Sequence, residues 1–524
     1  MPSPAAAVPG RRQFLAGAAA ATAAGGLLAA CGSVPATAPG RAAPPKRYGG
    51  NLKAGLTGGS SSDTLDPHRG LTYLDTARAQ TLYEPLAQLD ADARVKYVLA
   101  TEMIPHNSAA TQWVIRLRPG VRFHDGRALT ADDVIYTFRR IIASKYSAVN
   151  VLGPVEPAGI RALDTLTVLV PMSRPFATLP EQLAGILTAQ IVPSGFTASS
   201  RPNGTGPFKY QSFTPGQRSV FTRNPHYWQH GLPYADTVTI IDFPDTVSLQ
   251  DALITGQIQA AGTLDPAQMP ELSTTSGIRA VPSPAGTIIP FTMRVDRPPF
   301  NDVRVRQAMR LLVDRPQMIA SALDGFGTLA SDVFSPYDPD FDHALRRGQD
   351  ISQAKFLLKK AGREGLTVTL VTSPIATATV AMATVLAEQA KAAGVSINIQ
   401  NVPSGTFFGP DYLQWTFAQD FYSYAPYLAQ VTLSMLPSSP WDETHFGEPA
   451  YIRLYAQANA TLNPSTRKEI TYQMQQTDFT QGGYIIPAYV DTLDAYSSTI
   501  TGYAPSRLGQ PLDDYSFARF AFTA

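Results

Sequence analysis

Polar and apolar positions alternate along Trp113-Val114-Ile115-Arg116-Leu117-Arg118, which places Trp113, Ile115 and Leu117 on one face of a predicted strand. Pro119-Gly120 ends it, and Phe123-His124-Asp125-Gly126 reads as a turn. The period then lengthens. Thr130 is placed to cap a helix running through Val134 and Phe138, with Asp132 and Asp133 in the first turn, where unpaired backbone N–H groups favour negative charge. A second helix is predicted after Asn301 or Asp302, because Val305, Ala308, Met309, Leu312 and Val313 recur on one face. Arg304, Arg306 and Arg310 lie off that face and are expected to be solvated or salt-bridged rather than to clamp a ligand.

Farther along, Asp350 and Gln353 form a capping-box pattern that opens a helix ending near Gly362. Leu366–Thr372 alternates as a strand, an alanine-rich helix covers roughly Ala376–Ala393, and Val395–Gln400 alternates again. Strand, helix and strand with tight joints predict a parallel βαβ unit. Pro464–Gln476 is a predicted helix, and Tyr484–Val490 an apolar segment of the same lobe.

The N-terminus follows a different pattern. Leu15–Ala30 is sixteen residues without a charge, preceded by Arg11 and Arg12. A bilayer span needs about 20 apolar residues, so the stretch reads as the apolar core of an export signal. Arg11-Arg12-Gln13-Phe14-Leu15 resembles a twin-arginine motif, and Leu28-Ala29-Ala30-Cys31 a lipobox. Residues 1–30 are therefore expected to be removed, leaving Cys31 as a diacylglycerol acceptor. Residues 31–47 are expected to form a disordered proline- and alanine-rich tether.

Cys31 is the only cysteine, so no disulfide or cysteine-based zinc site can form within one chain. Formal charge is +1, which argues against a nucleic-acid partner. No P-loop, His-Glu-x-x-His or Gly-x-Ser-x-Gly pattern occurs. His226 and His230 are four apart, but Pro225 and Gly231 flank them and argue against a helical metal clip. No catalysis, cofactor or metal is expected. The most distinctive chemistry is a crowd of aromatic residues around one acid: Tyr412, Trp415, Phe417, Phe421, Tyr422, Tyr424 and Tyr427 surround Asp420. A buried acid beside aromatic rings suits a cationic group such as a peptide α-amine. The candidate ligand-binding residues are accordingly Asp420, Phe421, Trp415, Tyr422 and Tyr424.

Several motifs in order resemble the bacterial extracellular solute-binding proteins of family 5, the peptide- and nickel-binding type that serves ABC importers. They are Thr64-Leu65-Asp66-Pro67, the run Arg118–Gly126, Leu129–Val134, Gly204–Phe208, Asn224-Pro225-His226-Tyr227-Trp228, and Asp302–Ala308 followed by Val313-Asp314-Arg315. The resemblance implies an α/β, two-lobed periplasmic-binding-protein (Venus flytrap) fold, type II/cluster C, with an extra domain inserted in the first lobe. By analogy, residues 48–86, 206–288 and 497–524 form lobe 1, 87–205 the insert and 289–496 lobe 2. Peptide binders of the family hold the ligand α-amine with an aspartate followed by an aromatic, a pattern that Asp420-Phe421 matches. The Gly204–Phe208 run is expected to mark the return from the insert, with glycine supplying unusual backbone angles. Asn224-Pro225 and Tyr227-Trp228 are read as a turn with ring packing. Between Asn401 and Thr432 there is no Arg, Lys or His, so the arginine clamp of short-peptide binders is missing. The implied function is capture of peptides by an exported, lipid-anchored monomer that delivers them to membrane permease subunits with cytoplasmic ATPases. A non-peptide solute (sugar, nickel complex or opine), or a peptide-sensing receptor without transport, remains the alternative.

Overall fold

The computed structural model describes residues 46–70, 72–197 and 202–524; Arg11, Arg12 and Cys31 lie outside them. Strand Asn51–Thr57 is central to the larger sheet, with Thr237–Phe243 parallel on one side and Ala260–Ala261 parallel on the other. Antiparallel strands widen it: Arg218–Arg223 and Phe208–Thr214 beyond the first neighbour, Ala488–Ser497 and Ile278–Ile288 beyond the second. Alternation explains the packing. Leu52, Ala54 and Leu56 are buried on one face of the central strand, under helix Tyr73–Leu82.

A smaller sheet carries the predicted βαβ unit. Thr367–Thr372 and Ser396–Asn401 pair in parallel, joined by helix Thr379–Lys391, whose Met382, Ala383, Leu386 and Ala390 are buried. Thr367–Thr372 also runs parallel to Phe417–Gln419, which pairs in turn with Phe291–Met293. The chain crosses between the sheets several times, and Gly327–Leu329 lies on the larger sheet against Ala488–Ser497. Ile278–Ile288 leads from the larger sheet to Phe291–Met293, and Tyr484–Ile485 leads back into Ala488–Ser497. Strand pairing thus puts Ala488–Ser497 in the larger sheet, ahead of the boundary at residue 496 that the resemblance suggested.

Between strands of the larger sheet, the chain builds a four-stranded antiparallel sheet ordered Ala100–Pro105, Gln112–Leu117, Thr167–Pro171, Arg161–Asp164. Helix Ala131–Ser144 packs on it through Val134, Phe138 and Ile141. Thr130 donates from its backbone N–H and its hydroxyl to Asp133, at 2.9 and 3.1 Å, which fixes the start of the helix.

Two arginines depart from the expectation for their helix face. Arg306 and Arg310 are neither solvated nor salt-bridged: they are 6% and 0% exposed. Arg306 donates to the carbonyls of Phe300 and Gln481, and Arg310 to those of Phe479, Gly482 and Tyr484. They tie helix Val303–Leu311 to the turn that leads back toward the larger sheet. Arg304 does pair as expected, with Asp302 at 2.6 Å.

The glycines at 204 and 206 answer to space rather than to backbone angle. Neither has a positive φ. A Cβ on Gly204 would lie 2.0 Å from the Leu82 carbonyl oxygen, and one on Gly206 would lie 2.6 Å from the Leu82 carbonyl carbon. The chain passes here against the end of helix Tyr73–Leu82, and Gly206 N–H donates to Leu82 O at 2.9 Å. Gly204→Ala is therefore expected to destabilise the fold by about 1–3 kcal/mol. Urea denaturation checks this: a lower midpoint is expected with an unchanged slope.

Candidate ligand-binding cleft

A cavity of about 1760 Å³ opens between the larger sheet's layer and the smaller sheet's layer. Tyr73, Thr76 and Tyr515 contribute from the first, and Thr379, Phe408 and Asp420 from the second. Asp420 follows immediately after strand Phe417–Gln419, at its carboxyl end, where the parallel pairing with Thr367–Thr372 ends. Ligands of open α/β sheets gather at such ends, because the loops that diverge there leave a crevice.

The backbone holds this stretch from three directions. Asp420 N–H donates to Pro290 O at 3.2 Å. Tyr422 exchanges both backbone hydrogen bonds with Ile288, each 2.9 Å. Tyr424 N–H reaches Leu508 O at 3.0 Å, on the far side of the connection. The segment 420–424 is therefore pinned where the two layers meet.

Asp420 is 3% exposed. Its Oδ1 accepts from Phe421 N–H at 2.7 Å, and its Oδ2 from the Tyr412 hydroxyl at 2.8 Å. Burial nevertheless raises its pKa above the ordinary carboxylate value, against the lowering effect of these donors. Behind it, Glu443 is 5% exposed, accepts the Tyr422 hydroxyl at 2.7 Å and has its pKa raised still further, first by burial and then by Asp420. Across the cavity, Asp514 also lies in the wall, its pKa pushed up to about 7 by burial, with Ser506 donating to it. The cavity is thus lined by buried acids, polar hydroxyls and aromatic rings.

Four of the five candidate residues line this cavity together: Asp420, Phe421, Tyr422 and Tyr424. The Phe421 ring lies 6.4 Å from that of Tyr73, so the two layers meet in an aromatic contact beside the acid. Trp415 is not among the lining residues. Its indole N–H donates to Phe407 O at 3.3 Å, and the ring packs against the small cluster of Val371, Phe407 and Ala418. Phe417 and Tyr427 belong to the core: Phe417 contacts Phe291 and Phe300, and Tyr427 donates to Asp478 at 2.5 Å.

Sequence reasoning missed Glu443 and Glu84. Neither carries a local signature, since each meets its partners only in the fold. Glu84 accepts from Thr205, Tyr227 and Trp228, at 2.9, 2.7 and 2.9 Å, and burial pushes its pKa up to about 7. Arg118 stacks over Trp228, 4.5 Å from the ring centre. The Tyr227-Trp228 pair therefore does more than pack rings: both side chains donate to the buried Glu84, and the Trp228 ring carries Arg118. Among the described residues, no group of three or more His, Cys, Asp or Glu could hold a metal ion.

Two lobes joined by several crossings of the chain, with a large polar and aromatic cavity between them, define the two-lobed solute-binding class. Residues 94–436 match the family model of bacterial extracellular solute-binding proteins, family 5 Middle, and the chain belongs to that family. It is 29% identical over 311 residues to the glutathione-binding protein GsiB of Escherichia coli O6:K15:H31, across 58% of this chain and 60% of that protein. The match thus spans less than two thirds of that relative's length. Among solved structures, DppA from Helicobacter pylori with peptide STSA superposes with a TM-score of 0.79 at 19% identity, covering 91% of this chain and 99% of that one. AgaA from A. tumefaciens R10 with agropinic acid gives 0.79 at 20%, over 91% and 99%. These likenesses establish the two-lobed fold.

Proposed function

We propose that the protein captures peptides in the interlobe cavity and delivers them to an ABC permease, with Asp420 receiving the ligand's α-amine. The observation that carries this reading is the buried Asp420 carboxylate in the cavity wall, which no side-chain cation pairs among the described residues. A buried carboxylate without a counter-ion is costly, and an incoming ammonium would satisfy it. Phe421, Tyr422 and Tyr424 supply apolar walls beside it. Likeness to a peptide-bound DppA supports the peptide class. The cavity volume and the lack of a basic residue between Asn401 and Thr432 favour peptides longer than two or three residues.

Thermal-shift measurements with a mixed tetrapeptide library test the reading. Free amino termini are expected to raise the melting temperature, and N-acetylated copies are expected not to; equal shifts would remove the amine from the account. A second reading, an opine-like solute, is favoured by the equal likeness to AgaA with agropinic acid. We further propose lobes near 48–86, 206–288 and the chain end from about 488 against 289–487, with 87–205 inserted, and a monomer anchored outside the cell membrane through Cys31. Among the described residues, no helix is long and apolar enough to cross a membrane. Cys31→Ala is expected to move the protein from the membrane fraction to the soluble fraction on cell fractionation.

A further inference from the structure

The inserted segment touches both layers of the molecule. Its strands and its short helix Leu179–Ala184 fall in sequence between Asn51–Thr57 and Phe208–Thr214, two strands of the larger sheet, so its chain is continuous with that layer alone. Yet it bonds across to helices Tyr427–Ser434 and Pro449–Ala460, which fall between Phe417–Gln419 and Tyr484–Ile485 of the smaller sheet. The Thr178 hydroxyl donates to Asn459 Oδ1, Ala177 N–H to Asn459 O, and Gln182 Nε2 to Leu428 O at 3.2 Å. Thr178, Gln182 and Asn459 are all buried. Beside them Glu181 pairs with Arg467 at 3.5 Å. Tyr424 and Leu433 of the smaller sheet's layer are buried in one apolar cluster with Phe176, Leu183 and Ile186 of the insert.

Gly185, just after the short helix, shows how closely the layers approach. Its φ of −81° and ψ of −1° are open to any residue, so its own backbone does not call for glycine. Space does. A Cβ there would lie 2.9 Å from Pro426 Cδ and 3.2 Å from Ala429 Cβ, both on the opposite layer; the remaining neighbour, the Glu181 carbonyl oxygen at 3.2 Å, belongs to its own helix. The contact is also of a kind that can part. Each hydrogen bond across it is replaced by one to water when the surfaces separate, and mixed polar contacts between parts of one chain are those that open.

We propose that the insert is a clasp: Thr178, Gln182 and Gly185 seat against Asn459, Leu428 and Pro426, and this contact holds the cavity closed before any solute is bound. The inference rests on the proposed division into lobes and insert, and on no assignment of the ligand or of Asp420. Thr178, Gln182 and Asn459 are not among the lining residues, so they act on the position of the layers and not on the solute. A solute held between two layers favours the form in which both reach it. A clasp that closes the empty protein raises the fraction already in that form, and makes opening the gate on entry and release.

Pulsed electron paramagnetic resonance on the full-length protein without ligand tests this. Spin labels go on Ala162→Cys in the insert and Gln457→Cys on helix Pro449–Ala460, both exposed, with Cys31→Ser to leave no other thiol. This labelled parent is expected to give one short distance. Adding Gly185→Leu, whose side chain grows toward Pro426 and Ala429, is expected to shift the distribution to a longer distance while circular dichroism stays unchanged. The same short distance in the folded variant would overturn the clasp, and so would a parent that is already open. Should Gly185→Leu fail to fold, Thr178→Val decides. It keeps the branched shape and removes the donor to Asn459, which is then better satisfied by water in the open form. A new, longer component supports the clasp, and an unchanged distribution overturns it. Because no ligand is present, this outcome is independent of whether peptides bind, which the thermal-shift experiment decides separately.

Discussion

Replacing Asp420 with asparagine is expected to weaken peptide binding by at least about 30-fold while leaving the fold intact. The carboxylate sits at the cavity wall, 3% exposed, with its own donors in place. Asparagine keeps the volume and can still accept from Phe421 N–H, so the backbone around Ile288 and Leu508 has no cause to shift. What is lost is the countercharge to the ligand's ammonium. Removing one partner of a buried, hydrogen-bonded charge pair costs about 2–5 kcal/mol, because the other charge is left desolvated. Each 1.4 kcal/mol is tenfold in Kd. Titration calorimetry with a peptide and its N-acetylated form checks the cause: the variant should lose the distinction between the two. Unchanged affinity would take Asp420 out of the site.

The second large effect is structural. Arg310→Met is expected to destabilise the protein by about 3–5 kcal/mol, enough to lower a melting temperature by many degrees. Arg310 is fully buried, and its guanidinium donates to the carbonyls of Phe479, Gly482 and Tyr484. Methionine fills much of the same space but leaves those oxygens without donors, and an unsatisfied buried acceptor costs about 1–3 kcal/mol. The same burial lowers the pKa of Arg310 to about 9, against the opposing attraction of Asp332. The damage should concentrate at Tyr484–Ile485, which leads directly into the strand that joins the two sheets. Denaturant unfolding with intact cleft residues would show it. A change below about 1 kcal/mol would mean that water or a shifted turn replaces the guanidinium.

Local pattern made much of this fold legible. The strand at Trp113, the helix capped by Thr130 and the βαβ unit around Thr379–Lys391 follow from periodicity and capping alone. Pattern failed where a side chain's partner is far away in sequence. Arg306 and Arg310 lie off the apolar face of their helix, where exposure is the ordinary fate, yet the turn at Phe479–Tyr484 folds over them. Gly204 looks like a glycine kept for its backbone angle, but the reason is the Leu82 carbonyl, more than a hundred positions away. The cleft shows the same division. Asp420 stood out as the one acid among crowded aromatic residues. Glu443 did not, because Trp441-Asp442-Glu443-Thr444 is an unremarkable polar stretch until the fold brings the Tyr422 hydroxyl to it. Trp415 lies outside the cavity lining for a related reason: near strand Phe417–Gln419 only some of the aromatic residues can face the cavity, and the Trp415 indole donates to Phe407 O.

Native mass spectrometry of the purified protein, followed by denaturation and sequencing of whatever it releases, tests the central claim most directly. The account predicts peptides of mixed sequence and narrow length, each with a free amino terminus. A single small non-peptide mass, or an empty protein whose melting temperature ignores every peptide offered, would contradict it.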